Sequence, residues 1–270
     1  MARKPKVTRE ALQGALIGAL DPLRGVRAAW EQGAASFGRV DEYSDIDLIV
    51  IVEDDGVEEV FRAVEDTLDY RFGIADKYRI PEPAWHGHSQ CFYWVKGASP
   101  FLFVDMAVEK ASSKNRFLEY SIHGPPVVRI DKGVVSDDSP GAEEFARKLE
   151  DRLEALKTTF RLFQVEVLKE LERGNGIEAL AFYNAMTLRP LVEVLRIKYC
   201  PWRHNFNTRY VYYDLPSKVV KDLEKLYFIR NAKELAERRA EADKWFWEIA
   251  DSIELKDVRK LLAKAARRRG

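Results

Sequence analysis

The sequence predicts an α/β domain over residues 1–135 followed by an all-helical domain over residues 136–270. Before the boundary, short apolar runs such as "DLIVIV" alternate with turn residues, and a continuous apolar run indicates a strand buried on both faces. After "SDDSPG", apolar residues recur every three or four positions, which is the period of an amphipathic helix. Hydrophobic residues make up 46% of the chain, which is enough for a sizeable core.

The elements of the first domain follow from its apolar runs and its turn residues. A helix over residues 9–20 begins after Thr8, because threonine is a residue type that caps helix N-termini. A second helix is expected over about residues 58–72. The predicted strands are "VRAAW", "DLIVIV", "ADKYRI", "QCFYWV", "PFLFVDMAVE" and "VVRID".

The second domain is predicted to consist of helices only. A first long helix carries apolar residues from Phe145 to Val167 on one face and ends at the glycines of "GNG". A second helix runs to about Tyr199, and two or three more occupy residues 214–268. Pro190 lies inside the second helix and cannot donate to the carbonyl of Met186, so we expect a kink or an opening there.

Composition excludes several classes of protein. The chain has no apolar stretch near the ~20 residues of a membrane span and no apolar signal segment at its start, so we expect a cytoplasmic protein. Cys91 and Cys200 match no metal or redox spacing. Basic and acidic residues are equal in number, at 44 each, which disfavours nucleic acid as a partner. Abundant Glu, Lys and Arg give a thermophile-like composition.

The stretch "ASFGRVDEYSDIDLIVIVED" contains the first candidate site residues. Asp45 and Asp47 stand two residues apart at the start of a predicted strand, so both carboxylates leave the same face, roughly 6–7 Å apart. Like charges at the edge of a core repel each other, and a divalent cation would relieve that repulsion. Oxygen ligands of this kind suit Mg²⁺, which usually shares its coordination sphere with substrate phosphates.

A phosphate cradle and a third carboxylate would complete such a site. Ser36, Gly38 and Arg39 offer a hydroxyl, a permissive turn and a guanidinium just before the aspartate pair. Asp105 lies inside the apolar strand "FLFVDMAV", where a carboxylate is costly unless it has a role. Each feature alone also has a structural explanation: a loop, an ordinary turn, or a partner for an arginine. Their combination and order favour the site.

This order resembles the nucleotidyltransferase superfamily that includes DNA polymerase beta. "SFGR" followed by "YSDID" is similar to kanamycin nucleotidyltransferase, and "RGNGIEALAFYNAMTLRPLVEVLRIKY" is similar to the helical domain of aminoglycoside 6-adenylyltransferases. The resemblance implies a mixed sheet in the first domain and an acceptor-binding role for the helical domain. It implies that Asp45, Asp47 and Asp105 hold two Mg²⁺ ions, while Ser36, Gly38 and Arg39 bind the donor triphosphate.

Two departures from the family pattern accompany this resemblance. Ala35 stands where the family has glycine, and a Cβ at that position can keep the backbone farther from the phosphates. The loop from Ser36 to Asp45 is also short. Neither departure removes a carboxylate.

The implied activity is that of an EC 2.7.7-type enzyme, an adenylyltransferase. It would move AMP from ATP, or a nucleotide from another nucleoside triphosphate, to a hydroxyl of a small molecule with release of pyrophosphate. The alternative is an antitoxin-like or protein-modifying module that acts on a partner protein. Antibiotic modification is a subordinate hypothesis, because a cationic aminoglycoside prefers an acidic pocket and residues 136–270 are net basic.

The sequence leaves the general base open. Asp105 is the first choice, and the glutamates Glu109, Glu166 and Glu178 are the alternatives. Acceptor identity, the preferred base of the donor nucleotide and the oligomeric state are open as well.

Overall fold

A computed structural model describes residues 7–82 and 84–267 of the chain. The chain divides into two compact units, residues 1–139 and 140–270. The boundary predicted from sequence, after residue 135, precedes this division by a few residues. The catalytic role predicted for the first domain and the acceptor-binding role predicted for the second stay predictions.

The first unit is built around one six-stranded sheet. Its strands are β1 (Val26–Glu31), β2 (Ile46–Val52), β3 (Ile74–Arg79), β4 (Ser89–Val95), β5 (Val104–Lys110) and β6 (Val127–Asp131). The strand order is β3-β4-β5-β2-β1-β6. β2 and β5 run parallel, and every other neighbouring pair is antiparallel. The predicted mixed sheet is therefore confirmed.

Two long helices cover one face of this sheet. The described helices of the first unit are α1 (Arg9–Leu20), α2 (Val57–Arg71) and the short α3 (Tyr120–His123). α1 has the predicted bounds, and the side chain of Thr8 accepts the N–H of Ala11 at 3.2 Å as its N-cap. Apolar side chains of α1 and α2 form the main core with the strand residues Ile46, Leu48, Val50, Val104, Met106 and Val108.

The opposite face of the sheet carries the candidate site. Side chains alternate along a strand, so Asp47 and Asp105 point away from α1 and α2, because their neighbours in sequence point toward these helices. Farther along this second face, a smaller cluster consists of Ala28, Trp30, Ile49, Ile51 and Leu118. The two aspartates thus share this face of the sheet with an apolar cluster.

The second unit is helical, as predicted. Its described helices are α4 (Ala142–Glu172), α5 (Gly176–Phe182), α6 (Arg189–Tyr199), α7 (Val211–Asp214), α8 (Ser217–Tyr227), α9 (Ala232–Ser252) and α10 (Leu255–Arg267). Residues 140–267 contain no strand. The predicted fold class, a mixed-sheet α/β domain followed by an all-α domain, is confirmed.

A π-helical segment, Tyr183–Leu188, joins α5 to α6. Pro190 has no N–H, so the carbonyl of Met186 needs another donor. Gln164 of α4 supplies it, since its Nε2 donates to the Met186 carbonyl oxygen at 2.8 Å and its Oε1 accepts the Thr187 hydroxyl at 2.9 Å. The opening expected at Pro190 is therefore confirmed as a π-helical turn, and one buried amide bonds to its backbone and to Thr187.

Replacing Gln164 with leucine is expected to lower the free energy of unfolding by about 1–3 kcal/mol, because the buried Met186 carbonyl would lose its donor. Glu150→Leu is the matched control, since Glu150 lies exposed on the same helix and an exposed substitution stays within about 0.5 kcal/mol. Urea denaturation measures both variants. Equal stability of the two would show that the amide does not hold the turn.

Candidate active site

Asp47 and Asp105 are direct neighbours on the two parallel strands of the sheet. β2 and β5 pair in parallel with Asp47 opposite Asp105, and adjacent strands lie about 4.8 Å apart. Their sequence neighbours Ile46 and Val104 are fully buried on the helix-covered face, which fixes the direction of both carboxylates. The two carboxylates are thus held side by side near the N-terminal ends of β2 and β5.

Gly33 lets that turn approach the Asp47 carboxylate. Its φ is +60°, and a Cβ built on it would stand 1.7 Å from Oδ2 of Asp47. No other residue type fits there without displacing the carboxylate. Gly33 was not among the site residues predicted from the sequence, where the family glycine was assigned to position 35. The sequence feature that could have indicated it is a glycine two residues after β1, where the chain turns past the start of β2.

The turn predicted to hold phosphate is compact. It contains a 3₁₀ segment, Ala35–Phe37, and Gly38 closes it with a φ of +63°. Ser36 is buried, and its hydroxyl donates to the carbonyl of Glu31 at 3.5 Å. That hydroxyl would have to rotate to reach a phosphate.

The turn presents fewer N–H donors than its sequence suggests. The N–H groups of residues 35, 37, 38 and 39 already donate to carbonyls within it. The guanidinium of Arg39 lies 5.1 Å from the centroid of the Phe37 ring. The role of Ser36, Gly38 and Arg39 in phosphate binding stays a prediction.

Asp45 is positioned by its backbone. It lies one residue before β2, and Arg9 of α1 donates to its carbonyl oxygen. Arg9 also forms an ion pair with the buried Glu31 at 2.8 Å, and Gln13 and Arg129 donate to the same carboxylate. These contacts link the first turn of α1 to the segment that carries Asp45. They were not predicted from the sequence.

Asp105 has a neutral donor on the neighbouring strand. Nε2 of Gln90, on β4, donates to Oδ1 of Asp105 at 2.5 Å. A neutral amide stabilises the charged carboxylate without cancelling its charge, so Asp105 keeps its capacity to bind a cation.

The donor set fits a divalent cation at Asp47 and Asp105. Both candidate ligands offer hard carboxylate oxygens, and the absence of a Cβ at Gly33 lets the Asp47 carboxylate pack against the turn that follows β1. Within residues 7–82 and 84–267, no group of three or more His, Cys, Asp and Glu side chains is arranged around a common metal position. The part of Asp45 as a third ligand therefore stays a prediction.

Glu109, an alternative base, is fully buried on β5. Burial raises the pKa of its carboxyl to about 8, and burial lowers the pKa of the neighbouring His88 to about 4. Nε2 of His88 lies 3.8 Å from Oε1 of Glu109, too far for a hydrogen bond. Between these two pKa values both groups are neutral. A side chain with no exposed surface cannot take a proton directly from a bound acceptor.

The Glu109→Gln variant is expected to be more stable than the wild type at pH 8 by at least about 1.4 kcal/mol. Below the usual glutamate pKa, Glu109 is protonated in both the folded and the unfolded chain. As the pH rises toward 8, only the unfolded chain releases this proton, so wild-type stability falls. Urea titrations from pH 5 to pH 8 should show the gain growing with pH. A gain independent of pH would contradict the raised pKa.

None of the helices among residues 7–82 and 84–267 is long and apolar enough to cross a membrane.

Comparison with family models finds no match, and comparison with curated proteins finds none. Among solved structures, an aminoglycoside 6-adenyltransferase from Bacillus subtilis is similar over 95% of this chain and 92% of its own, with 15% identity and a TM-score of 0.37. A tRNA-processing enzyme in an apo form is similar over 97% and 80%, with 17% identity and a TM-score of 0.36.

The Thermotoga maritima CCA-adding enzyme complexed with tRNA is similar over 96% of this chain and 80% of its own, with 15% identity and a TM-score of 0.33. The resemblance to aminoglycoside 6-adenylyltransferases expected from the sequence thus recurs among solved structures. Because the identities and TM-scores are low, the functional proposal rests on the site residues and not on these likenesses.

Proposed function

We propose that this chain is a Mg²⁺-dependent nucleotidyltransferase that moves AMP from ATP to a hydroxyl of a small molecule and releases pyrophosphate. The observation that carries the proposal is the in-register pairing of Asp47 with Asp105 on adjacent parallel strands, beside the close approach of Gly33. Two carboxylates held side by side repel each other, and a cation shared with a triphosphate would offset that repulsion.

Asp47 and Asp105 would hold the cation, with Asp45 as the third ligand. Bound Mg²⁺ would neutralise charge that develops on the phosphate oxygens during transfer. Arg39 would donate to the β and γ phosphates through its guanidinium, and Ser36 and Gly38 would shape the turn beneath them. These residues bind and orient the donor, which accounts for most of the catalysis in phosphoryl-type transfers.

The acceptor oxygen forms a bond to the α-phosphorus while the bond from that phosphorus to the bridging oxygen of pyrophosphate breaks. The hydroxyl proton must pass to a base, and Asp105 is the first choice because it lies in the site. Glu166 and Glu178, in the second unit, remain proposals of lower rank. Glu166 already pairs with Lys169 at 2.7 Å.

The acceptor is proposed to be a small hydroxyl compound bound with the help of the helical unit. The neutral total charge and the interspersed acids and bases along its helices provide no continuous basic track for a polynucleotide. We therefore expect a small acceptor, and the experiment below also tests polynucleotide and protein acceptors.

The test incubates the full chain with Mg²⁺, ATP labelled at the α-phosphorus and, separately, pooled small metabolites, RNA and DNA ends, and protein extract. We expect release of pyrophosphate and a labelled small adduct that requires Mg²⁺. Substituting the other three nucleoside triphosphates measures the donor preference. Salt-sensitive labelling of RNA or DNA ends would move the acceptor to nucleic acid, and labelling of protein alone would favour the protein-modifying alternative. No Mg²⁺-dependent turnover in any arm would overturn the proposal.

A further inference from the structure

Gln90 is placed to fix the orientation of the Asp105 carboxylate. β4 and β5 are antiparallel, with Gln90 opposite Ala107 and Phe92 opposite Asp105. Gln90 is therefore the diagonal neighbour of Asp105 on the same face of the sheet, within reach of a long side chain. Nε2 of Gln90 donates to Oδ1 of Asp105 at 2.5 Å.

His86 determines which end of the Gln90 amide faces Asp105. Nδ1 of His86 lies 3.1 Å from the backbone N–H of His88 and accepts it, so Nδ1 carries no proton in this arrangement. The proton of the neutral ring then resides on Nε2, which lies 3.0 Å from Oε1 of Gln90 and donates to it. With its oxygen held by His86, Gln90 must present its NH₂ group to Asp105.

The His86 ring is itself held in place by neighbouring rings. It stacks on His88, with centroids 5.6 Å apart and planes 25° from parallel, and Trp85 meets it edge-on at 5.1 Å. His88 is buried beneath it. A backbone N–H, a buried ring and an aromatic edge thus fix the donor that orients Gln90.

We propose that His86 and Gln90 form a hydrogen-bond relay that positions the Asp105 carboxylate for cation binding. The proposal rests on the proposed function, because it deepens the account of the same metal site. In the relay His86 Nε2–H donates to Gln90 Oε1, and Gln90 Nε2–H donates to Asp105 Oδ1. Neither residue touches the reacting atoms, so both are positioning residues. Substitution of a residue that hydrogen-bonds to a metal ligand typically lowers metal affinity or activity by 10–100-fold.

The test measures Mn²⁺ affinity by calorimetric titration of the full chain in the presence of a non-hydrolysable ATP analogue. Gln90→Met keeps the length of the side chain and removes both polar atoms, so we expect a 10–100-fold loss of Mn²⁺ affinity. His86→Leu removes the donor to Gln90 and should weaken binding in the same direction. His86→Gln is the matched control, because its amide N–H can take the place of Nε2–H, and its affinity should stay within about threefold of the wild type.

Two further measurements separate positioning from general damage. Urea denaturation should show similar stability for His86→Leu and His86→Gln. The double variant Gln90→Met with His86→Leu should bind Mn²⁺ no more weakly than Gln90→Met alone, because His86 acts only through Gln90. Additive losses in the double variant would overturn the relay.

Failure of the relay and failure of the proposed function give different results. Wild-type Mn²⁺ binding with unchanged affinity in Gln90→Met overturns the relay and leaves the nucleotidyltransferase proposal standing. Absence of Mn²⁺ binding in the wild type itself overturns both, since no metal site then exists for Asp105 to serve. Equal losses in His86→Leu and His86→Gln would place His86 in a packing role and also overturn the relay.

Discussion

The Asp47→Asn variant is expected to lose Mg²⁺-dependent ATP turnover by about 1,000-fold or more, while it resists urea at least as well as the wild type. Asparagine keeps the shape of the side chain and removes the charge that faces Asp105 across the paired strands. A thousandfold loss corresponds to about 4 kcal/mol of transition-state stabilisation, the scale that a bound metal ion supplies. Relief of like-charge repulsion should leave stability equal or higher, as is common when a functional residue is removed.

The control for this variant is Asp55→Asn, which removes an aspartate from an exposed turn of the same unit. Its turnover and stability should match those of the wild type. Pyrophosphate release at saturating ATP over a range of Mg²⁺ concentrations measures both variants. Turnover of Asp47→Asn within a few-fold of the wild type would remove Asp47 from the site.

The Gly33→Ala variant is expected to lose turnover by at least about 100-fold and to lose stability as well. A Cβ at this position would stand 1.7 Å from Oδ2 of Asp47, so either the turn or the carboxylate must move. The positive φ of +60° adds a backbone cost of roughly 1–2 kcal/mol for any residue with a Cβ. A displacement of about 1 Å at a reacting centre is enough to reduce turnover about 100-fold.

The Gly133→Ala variant separates the backbone cost of a positive φ from the cost of the clash with Asp47. Gly133 also has a positive φ, of +85°, but a Cβ there meets nothing within 4 Å. This control should therefore lose stability through the backbone term alone and keep its turnover. Pyrophosphate release and urea denaturation of the two alanine variants give the comparison. If both variants retained full turnover, the contact between Gly33 and Asp47 would have no catalytic importance.

Local sequence patterns were enough to predict much of the fold. Thr8 marked the start of α1, and the helix has its predicted bounds because a capping side chain and an apolar stripe act within one turn. "VVRID" coincides with β6. Pro190 indicated an opening because the lost donor is a property of proline itself. The amide that donates to the Met186 carbonyl at this opening belongs to Gln164, twenty-six residues before Pro190, and no local pattern contains that information.

The candidate site could be predicted only in part. Asp47 and Asp105 could be selected because a carboxylate inside an apolar strand needs a reason, but their pairing depends on the parallel register of β2 and β5. Gly33 was not among the predicted site residues, because only the tertiary fold places it against Asp47. Gln90 and His86 belong to a different strand and its preceding loop. Contacts of this kind arise from tertiary structure, so spacing along the chain does not reveal them.

The most direct test of the metal site is an anomalous diffraction map of crystals grown with Mn²⁺ and a non-hydrolysable ATP analogue. The proposal predicts an anomalous peak about 2.1 Å from carboxylate oxygens of both Asp47 and Asp105, with the triphosphate of the analogue on the side of the turn that carries Arg39. The same crystals would show whether Asp45 is the third ligand. Mn²⁺ bound elsewhere, or an analogue bound while Asp47 and Asp105 coordinate no ion, would contradict the assignment of this pair as the catalytic metal site.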